Sequence, residues 1–261
     1  MRLDCESTQS ACASLSAFSG LSSQELLARL DEFSESADNE LSGHERWPAL
    51  ADWLSVPDDS FEVCWFHGTR TAKSESFLNG ILPLQHRLDG IWNELAALIA
   101  DRVDARQFAR LRRVVERDNY STESIPDRIQ LRMRDPGPYA ALIKAMVIKP
   151  QNRASHNYSR VPEIVDMILS SFPEPHKAVL TQRYFQQTKP CVVKFVSDES
   201  DRQIVGCATD YLLHFQKSYA LKNFFPWNFD GAGRQIPSQR IIYSKYITSV
   251  DGKLLQGQLT N

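Results

Sequence analysis

Two rhythms of apolar residues divide the chain. Behind Ser22 and Glu25, which match a capping box, Leu26, Leu27, Leu30 and Phe33 recur at helical spacing, and Trp47, Leu50, Trp53 and Leu54 repeat it. They predict a helical lead-in over residues 21–56. Phe61, Val63, Cys64, Trp65 and Phe66 then fill five of six positions with apolar, strand-favouring side chains, the pattern of a strand covered on both faces. That strand is expected to run out at His67, with a helix leading on to Gly80-Ile81-Leu82-Pro83. Residues 87–118 read as one long helical region, with Ile91, Trp92, Leu95, Leu98 and Ile99 on one face and Phe108, Leu111, Val114 and Val115 later.

Beyond Pro138 the segments shorten. Strands are predicted over 139–148, 191–196, 204–208 and 240–247, and helices over 162–171, with Pro162 in the first turn, and over 177–187. Short strands alternating with helices, without an internal repeat, give an α+β class with a mixed, mostly antiparallel sheet. Residues 1–20 show no such rhythm and read as a flexible leader. The domain plan is therefore a leader, the lead-in at 21–56 as an extra packing layer or a partner surface, and a main domain at 57–261 with a helical insertion at 87–118.

Composition narrows the class. With 261 residues and 42% hydrophobic content, the chain can bury a sizeable core. No apolar run approaches the length of a membrane span and the N-terminus makes a poor signal peptide, so the expectation is a cytoplasmic protein with no membrane partner. Cys5, Cys12, Cys64, Cys191 and Cys207 are odd in number and form no Cys-x-x-Cys pair, which points to free thiols and no metal site. A formal charge of −2 leaves any attraction to nucleic acid to a local patch.

One such patch is legible. Arg102, Arg106, Arg110, Arg113 and Arg117 follow one another at steps of four, four, three and four, a single stripe on a helix, partly offset by Asp101, Asp104, Glu116 and Asp118. It reads either as a solvated face or as a track for phosphates. The stretch from Lys222 to Arg234 holds Phe224, Phe225, Trp227 and Phe229, rings that either pack inward or stack on nucleobases. In His67-Gly68-Thr69 a glycine allows close backbone approach beside two short hydrogen-bonding side chains, which suits a polar cofactor; the alternative is a satisfied structural histidine. No Walker loop or Gly-x-Ser-x-Gly elbow occurs.

The strand, His67-Gly68-Thr69, and the continuation through Phe77, Gly80 and Ile81 resemble the first motif of ADP-ribosyltransferases. Asp135-Pro136-Gly137-Pro138-Tyr139-Ala140 resembles the segment that supplies a tyrosine ring in the His-Tyr-Glu branch of that family, with Tyr158 the fallback ring. Gln235 to Tyr243 resembles the loop and strand that carry the catalytic glutamate, but Gln239 stands at that position. The motif is offset by some residues, or the enzyme uses glutamine natively, or a glutamate has been replaced. The resemblance implies a split β-sandwich, with NAD as donor substrate held by His67, Gly68, Thr69, Phe77 and Tyr158, and no metal. It gives Tyr139 and Gln239 the catalytic positions and points to transfer of ADP-ribose to a macromolecule. Arg102, Arg106, Arg110, Arg113, Trp227, Phe229 and Arg234 would contact the acceptor, and DNA or RNA is preferred over protein. A toxin restrained by an antitoxin protein, or a phage-defence enzyme, would fit. The alternatives are a degenerate nucleotide- or partner-binding module on the same fold and an RNA 2′-phosphotransferase-like enzyme.

Overall fold

The computed structural model describes residues 1–34, 45–56, 59–72, 77–117, 137–148, 160–217, 224, 227–250 and 253–258, with only the backbone at 34, 117, 248–250 and 253–258. The strands are β1 (Arg2–Leu3), β2 (Phe61–Ala72), β3 (Tyr139–Ala141), β4 (Thr188–Glu199), β5 (Asn228–Asp230), β6 (Ile241–Val250) and β7 (Lys253–Gln258). The described helices are α1 (Thr8–Ser19), α2 (Ser23–Ser34), α3 (Arg46–Trp53), α4 (Leu84–Ile99), α5 (Ala105–Arg117), α6 (Lys144–Ile148), α7 (Glu163–Ser170), α8 (His176–Gln187) and α9 (Gln203–Gln216). The class is α+β. The sheet order is β5-β3-β2-β4-β6-β7, with β1 parallel to β2 and β3 antiparallel to it, so the sheet is mixed.

The chain forms two compact units, each assembled from three separate stretches, and β2 and β4 contribute residues to both. The first unit holds residues 1–67, 140–156 and 194–229. Its helix α1 opens at Ser7, whose hydroxyl accepts from the Ser10 amide at 3.1 Å, and buries Ala11, Cys12, Leu15 and Phe18. The expected capping box of α2 is present: the Glu25 carboxylate accepts from the Ser22 amide at 2.9 Å and the Ser22 hydroxyl accepts from the Glu25 amide at 3.2 Å. The second unit holds residues 68–139, 157–193 and 230–261. Its core is helical, with Leu88, Trp92, Leu95 and Ile99 of α4 and Phe108 of α5 clustered with Ile164 and Ile168 of α7 and Leu180 and Tyr184 of α8.

Several expectations need correction. Residues 1–20 are not a loose leader: Leu3 and Cys5 are fully buried, β1 pairs with β2, and the alternating Asp4 and Glu6 are charge partners of buried lysines. The segment 204–208 is part of α9, whose residues Ile204 to Leu213 are all buried; a helix enclosed on every side loses the periodic polar face that marks it. The stretch 139–148 is a three-residue strand followed by the short helix α6. The helical region 87–118 is two helices, because Asp104 caps a second start: its carboxylate accepts from the amides of Arg106 and Gln107, both at 2.8 Å. The strand through 191–196 and the helices at 162–171 and 177–187 stand as expected, with Pro162 at the cap of α7.

Candidate functional site

β2 does not end at His67. It runs on through Thr69 and the buried Thr71 to Ala72, β-branched residues suited to a pleated strand. His67 is thus the seventh of twelve strand residues, half-buried, followed by the buried Gly68 and the half-buried Thr69. Of the helix expected before Gly80, residues 73–76 lie outside the described residues, and Phe77 to Gly80 form a turn closed by the Gly80 amide on the Phe77 carbonyl at 2.9 Å.

A single loop, residues 230–240, draws the other motif segments of the second unit together. Ile81 and Ile236 exchange two backbone hydrogen bonds, of 2.8 and 2.9 Å, as an isolated antiparallel bridge. The Gln235 side-chain amide also donates to the Asn79 carbonyl. Gly80 is the residue this approach requires: its φ is 78°, and a Cβ there would lie 1.9 Å from the Ile236 carbonyl oxygen. Further back in the loop, the Gly231 amide donates to the Pro138 carbonyl at 3.0 Å and the Gly233 amide to the Gly137 carbonyl at 2.7 Å. Beyond Ile236, Ser238–Arg240 make one 3-10 turn closed by the Arg240 amide on the Pro237 carbonyl at 3.0 Å, and β6 begins at Ile241.

The loop is therefore bonded through the backbone both to the continuation of the first motif and to the segment before Tyr139. Gln239 is exposed on its 3-10 turn, and Tyr139 is half-buried at the start of β3. The arrangement presents an amide and a phenol on a loop and a strand whose backbones are fixed, the condition for orienting a polar ligand.

Other expected site residues are placed differently. Tyr158 lies outside the described residues, as do Phe225 and Asp135-Pro136. Trp227 and Phe229 are packing residues of the first unit: Trp227 lies 5.4 Å from the Trp47 ring, and Phe229 lies 5.4 Å from Trp65 and 5.2 Å from Phe195. Phe224 is buried against Tyr211 and His214. Arg234 is exposed, its guanidinium donating to the Gly231 carbonyl at 3.4 Å. Arg102 sits in the turn between α4 and α5 rather than on a helix, while Arg106, Arg110 and Arg113 are exposed on α5.

The sequence reading missed two buried ionic clusters of the first unit. Lys194 donates to Asp4 at 2.6 Å and Glu6 at 2.8 Å, and Lys144 donates to the other Glu6 oxygen at 2.8 Å. Burial alone would lower the Lys194 pKa, but the two carboxylates outweigh it and raise the value. Asp210 accepts from Arg46 at 3.2 Å and Trp47 at 3.3 Å and faces His214, an i,i+4 pair recognisable only once α9 is read as a helix. These groups are consumed by one another in the interior, which marks them as structural. The five cysteines are buried and form no disulfide; burial pushes the Cys64 thiol up to about 11 and those of Cys5 and Cys207 upward too, so these three are not poised as nucleophiles.

Among the described residues, no cluster of three or more His, Cys, Asp or Glu side chains could hold a metal ion, and no helix is long and apolar enough to cross a membrane. A shallow groove lined by Met1, Arg2, Phe61, Glu62 and Asp198 lies at the start of β2, away from His67. The chain matches no protein-family model, no curated protein and no solved structure.

Proposed function

We propose that the chain is a mono-ADP-ribosyltransferase, built on a split β-sandwich of the ADP-ribosyltransferase type, that uses NAD as donor and modifies a macromolecular acceptor. The observation that carries this reading is the loop 230–240. It bears Gln239, and its four backbone hydrogen bonds join it to Ile81 and to Gly137-Pro138, in the segments that the sequence assigns to the same donor site.

In the proposed reaction His67 and Thr69 hold the donor and Tyr139 stacks on the cationic nicotinamide. The bond between the anomeric carbon and the nicotinamide nitrogen breaks, its electron pair leaving with neutral nicotinamide. A lone pair of the acceptor then bonds to that carbon, and the acceptor's proton passes to solvent. Gln239 accepts a hydrogen bond from a ribose hydroxyl but brings no negative charge to the oxocarbenium. The absent charge favours slow turnover, and it is also the one feature that favours the second reading, a module that binds a nucleotide without turning it over.

Labelled NAD and cell extract separate the two. The expected outcome is slow transfer by the unaltered chain, acceleration by about a hundredfold or more in Gln239→Glu, and loss of transfer in His67→Ala at an unchanged melting temperature. NAD binding with no transfer by either the unaltered chain or Gln239→Glu identifies the binding module. Transfer that survives His67→Ala removes the donor-site assignment.

A further inference from the structure

The unusual feature outside this site is the exposed face of α5. With 3.6 residues per turn, Arg110 lies about 40° from Arg106 around the helix axis and Arg113 about 20° to its other side, so three guanidinium groups share a sector of about 60° over about 10 Å of helix. All three residues are exposed. Arg117 continues the row at the helix end and Arg102 flanks it in the preceding turn.

A run of arginines on a helix is ordinarily balanced by the acids around it, and among the described residues those acids are taken. Asp89 and Glu116 both bind Arg112, Glu94 accepts from Arg87 at 2.7 Å, and Asp101 accepts from Arg183 at 2.9 Å. Asp104 is occupied in capping α5, accepting two backbone amides at 2.8 Å. Every acidic side chain on α4, α5 and the turn between them thus serves a partner other than Arg106, Arg110 or Arg113. The opposite face of α5 is also committed, because Phe108 is part of the helical core and Leu111 and Val115 pack against it. An amphipathic basic helix binds a membrane by inserting its apolar face, and on this helix that face is packed inside the protein, leaving of its large apolar side chains only Val114 exposed.

We infer that the Arg106-Arg110-Arg113 face of α5 docks the phosphodiester backbone of a nucleic acid. Guanidinium forks match phosphate oxygens two at a time, and a row of them suits a ligand whose charges repeat along its length. The contact reads backbone and not bases, so it carries no sequence preference.

The test is binding of short labelled DNA and RNA, single-stranded and duplex, to the full chain across a range of salt concentrations with no NAD present. Log affinity is expected to fall linearly with log salt, by about 0.9 per phosphate neutralised on duplex DNA and about 0.7 on a single strand. Reversing Arg106 and Arg110 to Glu should weaken binding about tenfold or more for every base composition and make the slope shallower by about two phosphates' worth, with the melting temperature held. Replacing both by Lys should keep the slope. No salt-sensitive binding by the unaltered chain overturns the inference, as does an unchanged slope in the Glu variant. Displacement by poly-glutamate as effectively as by nucleic acid at equal charge overturns it in favour of an acidic protein. Because binding is read without NAD, and transfer without added nucleic acid, failure of either leaves the other standing.

Discussion

Asp210 shows how a single residue sets a condition on the fold. It is only 3% exposed, and it is tolerated there because Arg46, the Trp47 indole and His214 all point donors at it. For His214, burial alone would lower the pKa; its hydrogen bond to Asp210 and the charge of that carboxylate outweigh burial and raise the value above the ordinary 6.5, with Arg46 pulling it back down. Raised in the folded state, the imidazole contributes stability that is fully present below its unfolded value of 6.5 and is lost as pH climbs through the higher folded value. The stability gap between the unaltered chain and His214→Gln should therefore be wider at about pH 5.5 than at about pH 8.5, as measured by urea denaturation. An equal gap at both would mean that folding leaves the His214 pKa unshifted.

At the scale of elements, α3 and α9 meet more closely than side chains allow. A Cβ on Gly206 would lie 2.0 Å from the Trp47 carbonyl oxygen and 2.7 Å from its carbon. Helix propensity alone predicts that Gly206→Ala stabilises α9 by about 1 kcal/mol. Overpacking against backbone costs about 1–3 kcal/mol, and α3 cannot yield freely while Arg46 and Trp47 are tied to Asp210, so the cost should win and the melting temperature should fall. A rise would show that α3 moves aside. The same helix marks the limit of what the sequence made legible. α2 was readable because its cap and its apolar stripe are local signals, and β4 because six consecutive residues from Cys191 to Val196 are buried. α9 was not, since burial on all sides erased its period, and the break before α5 was hidden by an arginine spacing that runs through the turn unchanged. For the candidate site, the three motif segments were visible as short strings, but the bonds that join 230–240 to Ile81 and to Gly137-Pro138 span distances along the chain that no periodicity encodes.

At the scale of the whole molecule, each unit is assembled from three stretches of chain, and the first unit uses its N-terminal residues as an internal fastening. β1 lies along β2, the Cys5 carbonyl accepts from the Lys144 amide at 3.3 Å, and Asp4 and Glu6 reach lysines on β4 and α6 whose side chains are 7% and 5% exposed. Two ammonium groups so enclosed depend on those two carboxylates. Replacing Asp4 and Glu6 together by Ala should cost about 3–5 kcal/mol, because two buried ammonium groups lose the carboxylates that face them. An ordinary surface pair would cost under about 1 kcal/mol, so the magnitude itself discriminates. The decisive measurement is the rescue. With Lys194→Met and Lys144→Met added, the chain has lost four charges and yet should recover much of the lost stability, since apolar side chains of similar volume carry no such desolvation cost. If the quadruple variant is less stable than the double, the lysines are hydrated in the folded protein and the N-terminal segment is held chiefly by β1 and the apolar contacts of Leu3.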